Sequence, residues 1–271
     1  MSRFFARSFE DYKSLYQEST NTPETFWGEF AKESFSWIKP WDSVLEHDLK
    51  KPQVSWFAGA QLNITENCID RHLEKDGNKT AIIFEPNAVD EKAKYITYAE
   101  LSVAVNKTAN LLKSLGVKKG DRICLYMPMV PELAYAVLAC ARIGAIHSVV
   151  FAGFSAKSLA DRINDAACKL VLTADGGYRG SKITPLKAIT DDALTQCPTI
   201  EHVVVLKRTN QKVSMLEGRD IWWHDLYDQQ SGNCPVEVMD AEDPLFILYT
   251  SGSTGQPKGM EIGRASCRER V

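Results

Sequence analysis

Leu245 to Gly259, LFILYTSGSTGQPKG, is the stretch from which the rest of the chain can be read. Its first half is an unbroken apolar run ending at Tyr249, the pattern of a strand buried on both faces of a parallel sheet. Its second half is a loop of Gly, Ser and Thr. Gly252, Gly255 and Gly259 allow positive φ and close backbone approach, so successive N–H groups can converge into a nest for an anion. Thr250, Ser251, Ser253 and Thr254 add hydroxyl donors and Lys258 adds a cation, which together describe a grip on phosphate. Two common phosphate loops are excluded. Lys258 follows Pro257, so G-x-x-x-x-G-K-[ST] is absent, and Gly252 with Gly255 gives G-x-x-G in place of the G-x-G-x-x-G dinucleotide fingerprint.

By composition alone, S-G-S-T-G is also an ordinary surface linker. The full string Y-T-S-G-S-T-G-x-P-K-G, however, resembles the signature of the adenylate-forming enzymes, the superfamily of acyl-CoA synthetases, luciferases and peptide-synthetase adenylation domains. The resemblance implies that Thr250, Ser251, Gly252, Ser253, Thr254, Gly255 and Lys258 hold the β- and γ-phosphates of ATP while a carboxylate attacks the α-phosphorus. It also implies Mg²⁺ bridging the phosphates.

Composition is that of a globular protein: 271 residues, 44% apolar and 25% charged. The net charge of -3, with no basic stripe interleaved with aromatics, argues against nucleic acid as a partner. The seven cysteines are scattered and lack any C-x-x-C, so neither a zinc site nor a disulfide framework is expected and reduced thiols in the cytoplasm are the simpler reading. MSRFFARSFEDYKSLY at the N-terminus carries acidic residues and no apolar core, unlike a secretory signal. Leu133 to Phe154 is the most membrane-like stretch, but Arg142 near its centre costs about 2.5–3.5 kcal/mol on insertion scales. It is therefore read as buried helix, turn and strand, and no membrane association is expected.

From Arg122 onward, strands and helices alternate. Arg122–Met127, Ile146–Phe151, Lys169–Thr173 and His202–Leu206 read as strands; Pro131–Ile143, a helix capped by Ser155 and running to Ala167, and one from Thr184-Pro185 to Gln196 separate them. This alternation predicts an α/β fold with a parallel sheet, right-handed crossovers, helices on both faces and ligands at the carboxyl ends of the strands. Upstream, Thr97-Tyr-Ala-Glu100 is a capping box opening a helix that Gly116 ends, Ala81–Phe84 is a short strand, and Asn63 caps a helix to Lys75 that stops at Gly77. His147 reads as a core histidine and Asp191-Asp192 as a solvated helix face.

Two further loops carry candidate ligands. Arg179 and Lys182, spaced by Gly180 and Ser181, can close on one phosphate, although a solvated charged loop explains the spacing equally well. Phe151-Ala-Gly-Phe-Ser155 is a strand-to-helix turn whose N–H groups can face an anion, and plain N-capping by Ser155 accounts for it as well. Residues 1–66 hold four of the six tryptophans, with Pro23, Pro40 and Pro52 breaking long helices, and are expected to form an extended wrap without a core of its own.

Within the superfamily, Tyr12, Tyr16, Ser19, Pro23, Phe26-Trp27, Trp37 and Pro40-Trp41 are similar to the N-terminal extension of acetyl-CoA synthetases. That narrower resemblance implies that Arg179, Gly180, Ser181 and Lys182 hold the 3′-phosphate end of coenzyme A, Lys182 giving up a bidentate contact, and that Gly153 lies in a turn near coenzyme A. It further implies a division into an N-terminal extension (1–66), the N-terminal part of the AMP-binding domain (67–260) and a non-native tail (261–271). EIGRASCRERV lacks strand alternation and helical stripe, so it is expected to be unpacked, and it reads as translated sequencing adapter. The implied activity is joining acetate to ATP and then to coenzyme A, with release of AMP. The acid pocket, the adenine contacts and the catalytic lysine are expected beyond Met260, so no catalytic residue or protein metal ligand is assigned and this stretch alone is expected to be inactive. A synthetase for propionate or acetoacetate, and a non-catalytic coenzyme A or nucleotide-binding module, remain alternatives.

Overall fold

The computed structural model describes residues 2–48, 50, 51, 53–88, 90–250 and 257–263. The Thr97–Glu100 box forms as its spacing requires: the Thr97 hydroxyl accepts from the Glu100 N–H at 3.2 Å, and the Glu100 carboxylate accepts from the Thr97 N–H at 2.8 Å. These bonds satisfy two of the free donors at the start of helix α1 (Tyr98–Ser114) and hold the Glu100 carboxyl below its usual range. Leu101, Val105, Thr108 and Leu112 bury one face of the helix, and Gly116, at φ +79°, takes the left-handed conformation that ends it.

Beyond α1 the expected alternation is present: β1 (Arg122–Leu125), α2 (Pro131–Arg142), β2 (Ile146–Val149), α3 (Ala156–Asp165), β3 (Leu170–Ala174), α4 (Leu186–Leu194), β4 (His202–Leu206), β5 (Asp220–Trp222), β6 (Pro244–Thr250) and β7 (Lys258–Gly263). They build one seven-stranded sheet in the order β5-β4-β3-β1-β2-β6-β7, parallel throughout except for the β6–β7 pair. Period-two alternation distributes side chains to both faces. Ile123, Leu125, Leu170 and Leu172 join the core under α1 and α2, whereas Cys124 and Val171 join the one under α3 and α4. The chain leaves β1 toward β2 and leaves β3 toward β4, in opposite directions, so a crevice opens between the carboxyl ends of β1 and β3.

Arg142, the residue that argued against a membrane span, is buried and fully engaged. Its guanidinium donates to Cys234 O at 2.6 Å and pairs with Asp70 at 2.9 Å, while Asn63 Nδ2 donates to the carbonyls of Ala141, Arg142 and Glu237. Among the described residues no helix is long and apolar enough to cross a membrane. His147 stacks on Phe246 inside the sheet. None of the six described cysteines is in a disulfide, and burial pushes the Cys140 and Cys168 thiols up to about 12.

Four expectations are corrected. Residues up to 58 form two helices, Phe9–Asn21 and Pro23–Ser34, and a hairpin, Ser43–Asp48 with Gln53–Ala58, in place of an extended wrap. Pro23 opens the second helix, where its missing N–H costs nothing. The rings do gather a small cluster, Trp37, Trp41, Val44 and Trp56 around Ala31, Phe57, Ala60 and Leu62, but Ala241 from far along the chain completes it, so the segment is anchored to the larger body as its lack of aliphatics requires. The helix capped by Asn63 breaks after Cys68 into a 3₁₀ turn and a short helix ending at Asp76. Strand β6 is not buried on both faces: Ile247 packs toward α3, but Leu248 on the opposite face is 43% exposed. Finally, Glu261, Ile262 and Gly263 are paired with Ile247, Phe246 and Pro244, so the chain is packed up to Gly263; the free edge of β6 needs donors and acceptors, which β7 supplies. The rest of that tail, 264–271, lies outside the described residues.

Candidate functional site

Three connections at the carboxyl end of the sheet carry the predicted residues. After β3 the chain does not make an irregular loop but a two-stranded hairpin, Gly177–Arg179 against Lys182–Thr184. Gly180, at φ +59°, makes the reversal. The register places Arg179 directly opposite Lys182, so the two cations share one end of the hairpin, both exposed. Among the described residues neither side chain makes a hydrogen bond or an ion pair. Asn87 Nδ2 donates to Gly180 O at 3.1 Å, and the Arg208 guanidinium lies 5.0 Å from the Tyr178 ring, so the backbone of the hairpin is held while its charges face solvent.

After β2 comes the Phe151–Ser155 turn containing Gly153. A Cβ on Gly153 would run into the Phe151 ring, an exposed side chain that would have to swing aside. Ser155 accepts from the Ser158 N–H at 3.3 Å and caps α3 as expected. Tyr126, just past β1 and fully buried, donates to Phe154 O at 2.8 Å and pins the turn from below. Burial pushes the Tyr126 phenol up to about 12, so it stays a donor.

After β6 comes the Gly/Ser/Thr segment that the sequence marks as a candidate phosphate grip. Thr250 ends β6 and is paired in register with Lys258, the first residue of β7, and both are exposed. Ser251, Gly252, Ser253, Thr254 and Gly255 lie outside the described residues. Tyr249 fixes the approach to this loop: its hydroxyl is 2.8 Å from Asp165 Oδ2 and 3.2 Å from Arg162 O. Burial, then the hydrogen bond to Asp165 and its charge, raise the phenol well above its ordinary value. Arg162 sits between Tyr249 at 5.3 Å and Phe154 at 4.5 Å, joining β6 to the Phe151–Ser155 turn.

The structure thus brings Arg179 to Lys182 and Thr250 to Lys258, and ties the Gly153 turn to β6. Asp191, read as part of a solvated face, is corrected: it pairs with buried Lys187 at 2.7 Å and with Arg219 at 2.6 Å. Asp192 alone is exposed. Tyr126, Arg162, Asp175 and Arg208 escaped the sequence reading. Asp175 followed directly by two glycines carried the one available signal, that of a turn.

The sequence model described as "AMP-binding enzyme" matches residues 69–267, and that described as "Acetyl-coenzyme A synthetase N-terminus" matches residues 12–68. The chain belongs to the AMP-binding enzyme family. Relatives within it include an acetyl-coenzyme A synthetase 2 from Pseudomonas aeruginosa, 57% identical over 251 residues, and an acetyl-coenzyme A synthetase from Magnetococcus marinus, 55% identical over 253 residues. Each alignment covers 93% of this chain and 39% of the relative, so the chain spans well under half the length of these AMP-binding enzymes. A solved structure, an acetoacetyl-CoA synthetase from Streptomyces lividans, superimposes with a TM-score of 0.84 at 26% identity, covering 94% of this chain and 38% of that one.

Proposed function

We propose that this chain is the N-terminal part of an AMP-forming acetate–CoA ligase, in which acetate and ATP give acetyl-AMP and pyrophosphate, and the acetyl group then passes to coenzyme A with release of AMP. The observation that carries the reading is the tandem of an acetyl-coenzyme A synthetase N-terminus on residues 12–68 and an AMP-binding enzyme on residues 69–267. The site chemistry agrees with it. Arg179 and Lys182 present two free charges to one side of a held hairpin, a fork and a point charge suited to the 3′-phosphate of coenzyme A, with Gly180 and Ser181 at the reversal. Gly153, in the turn held by Tyr126 and capped by Ser155, is assigned to the neighbourhood of the same ligand. Thr250 and Lys258, facing one another where β6 meets β7, bracket the segment Ser251–Gly255 assigned to the ATP phosphates. The role of that loop is electrostatic: it neutralises and orients the departing pyrophosphate.

Among the described residues no group of three or more His, Cys, Asp or Glu side chains is placed to hold a metal ion. In this proposal Mg²⁺ is bound through the phosphates, where it supplies charge neutralisation. The cytoplasm is the proposed compartment, supported by the free, largely buried thiols.

The test is pyrophosphate exchange into ATP by the product of the complete gene, with acetate, propionate and acetoacetate compared. Exchange driven best by acetate supports the reading. Exchange driven best by one of the other two moves the protein to a neighbouring synthetase, and coenzyme A binding without any exchange makes it a non-catalytic module.

A further inference from the structure

Asp175 is completely buried, yet among the described residues it has no cationic partner. Its carboxylate is instead ringed by backbone donors. It accepts from the N–H of Gly176 at 2.8 Å, of Arg208 at 2.8 Å, of Thr209 at 2.9 Å and of Gln211 at 3.1 Å. Three of the four come from the connection after β4, 33 to 36 residues along the chain. That connection bends at Asn210, which sits in the left-handed region at φ +57°. Such a bend turns successive N–H groups inward as an anion nest, and here the nest is filled by the protein's own carboxylate. Burying a charge is costly unless every lone pair is met, so the carboxylate dictates where the 208–211 segment lies.

That segment in turn sets the base of the cation hairpin. A Cβ on Gly176 would meet Thr209 Oγ1 at 2.7 Å and Ile183 Cγ2 at 3.0 Å, and one on Gly177 would meet Pro128 at 3.1 Å, so the hairpin root is clasped between the 208–211 segment and the end of β1. Arg208, whose N–H is fixed by Asp175, lays its guanidinium over Tyr178 in the hairpin and pairs with Glu91 at 3.5 Å. Thr209 at the hairpin root and Arg208 over Tyr178 are thus both placed by the segment Asp175 holds, while Asn87 holds Gly180 at the far end.

We propose that Asp175 is a positioning residue for 3′-phosphate recognition, acting through the 208–211 nest to hold Arg179 and Lys182 as a pair. The inference rests on the assignment of these two cations to a 3′-phosphate. Its reach differs from theirs: Asp175 is buried and touches no ligand, and its effect is on how ordered the two charges are before a ligand arrives.

The experiment uses the 271-residue chain with adenosine 3′,5′-bisphosphate as probe and adenosine 5′-monophosphate as control, by calorimetry. Asp175→Asn keeps the size but cannot accept at both oxygens, and it should weaken the bisphosphate about tenfold while leaving the monophosphate unchanged. Amide exchange in the variant should accelerate in Arg208–Gln211 and Gly177–Thr184 together. Because a buried substitution can unfold a chain, Asn210→Val supplies a second route. It alters an exposed residue, strains the positive φ and spreads the nest, so it should lower bisphosphate affinity in the same direction by about threefold. If Arg179→Ala weakens the bisphosphate but Asn210→Val and any folded Asp175→Asn do not, the positioning role is wrong. If Arg179→Ala is itself without effect, the 3′-phosphate assignment falls and the proposal falls with it, by a distinguishable route.

Discussion

Two Arg–Lys pairs flank the start of α4, and they have opposite fates. In the first, Lys187 is 1% exposed and is bonded to Asp191 at 2.7 Å, Asp220 at 2.8 Å and Ser214 O at 2.8 Å, while Arg219 closes the ring on both aspartates at 2.6 Å. In the second, five residues upstream, Lys182 stands exposed beside Arg179 without a partner among the described residues. The cations are of the same two types in both sets. What separates them is whether the protein supplies the counter-charge: where it does, the cations tie α4 to the segment before β5, and where it does not, a held backbone presents them to something else. An unneutralised pair of cations on a held hairpin is what the proposed anion site requires, and cations closed into a ring of carboxylates serve architecture.

The largest expected effect belongs to the closed ring. Lys187→Ala leaves Asp220 buried and short of a donor and should cost about 3–5 kcal/mol in urea unfolding, whereas Arg179→Ala should change stability by less than about 0.5 kcal/mol. Equal costs would erase the distinction. The ring also sets an acid limb. Burial by itself raises the Asp220 carboxyl, but hydrogen bonds from Arg219 and Lys187 overcome this and hold it below its ordinary 3.8. Since the folded value lies below the unfolded one, its contribution is complete above about pH 4 and is lost as pH falls through the folded value. Asp220→Asn should flatten that limb in a pH series of unfolding midpoints.

Next in size is ligand binding at the open hairpin. If the proposed assignment holds, Arg179→Ala should remove a charge-assisted bond of about 1.5–3 kcal/mol, roughly ten- to a hundredfold in affinity, from coenzyme A and not from dephospho-coenzyme A. Titration of both ligands checks it. Smallest is a change outside both clusters: Thr97→Ala removes the α1 cap and should cost about 1 kcal/mol by denaturant unfolding, with coenzyme A affinity unchanged.

What could be read from the residues follows from the range of the interactions involved. The Thr97–Glu100 box, the Ser155 cap and the strand–helix alternation from Arg122 onward depend on neighbours within a turn or a pleat, and each is found where its spacing put it. The Gly177–Thr184 hairpin was missed because it has three residues a side and no hydrophobic alternation, and because it is held by Asn87 and Arg208 from other parts of the chain. Asp191 is half legible: Lys187 stands one helical turn before it, but Arg219, which completes its pairing, lies 28 residues away. Asp175 looks like any turn residue until the segment it gathers, over thirty residues on, is in place. The segment before 60 was misjudged differently: a cluster of tryptophan and phenylalanine rings does not show as aliphatic periodicity. Arg179 and Lys182 were legible as a pair because their spacing survives as direct opposition across the hairpin.

The measurement that bears most directly on this account is calorimetric titration of the unmodified 271-residue chain with coenzyme A and with dephospho-coenzyme A. If Arg179 and Lys182 are held open for a 3′-phosphate, coenzyme A should bind at least about tenfold more tightly, and the difference should shrink as salt is added. Equal affinities for the two ligands at low salt would contradict it and return the hairpin to the class of solvated charged loops.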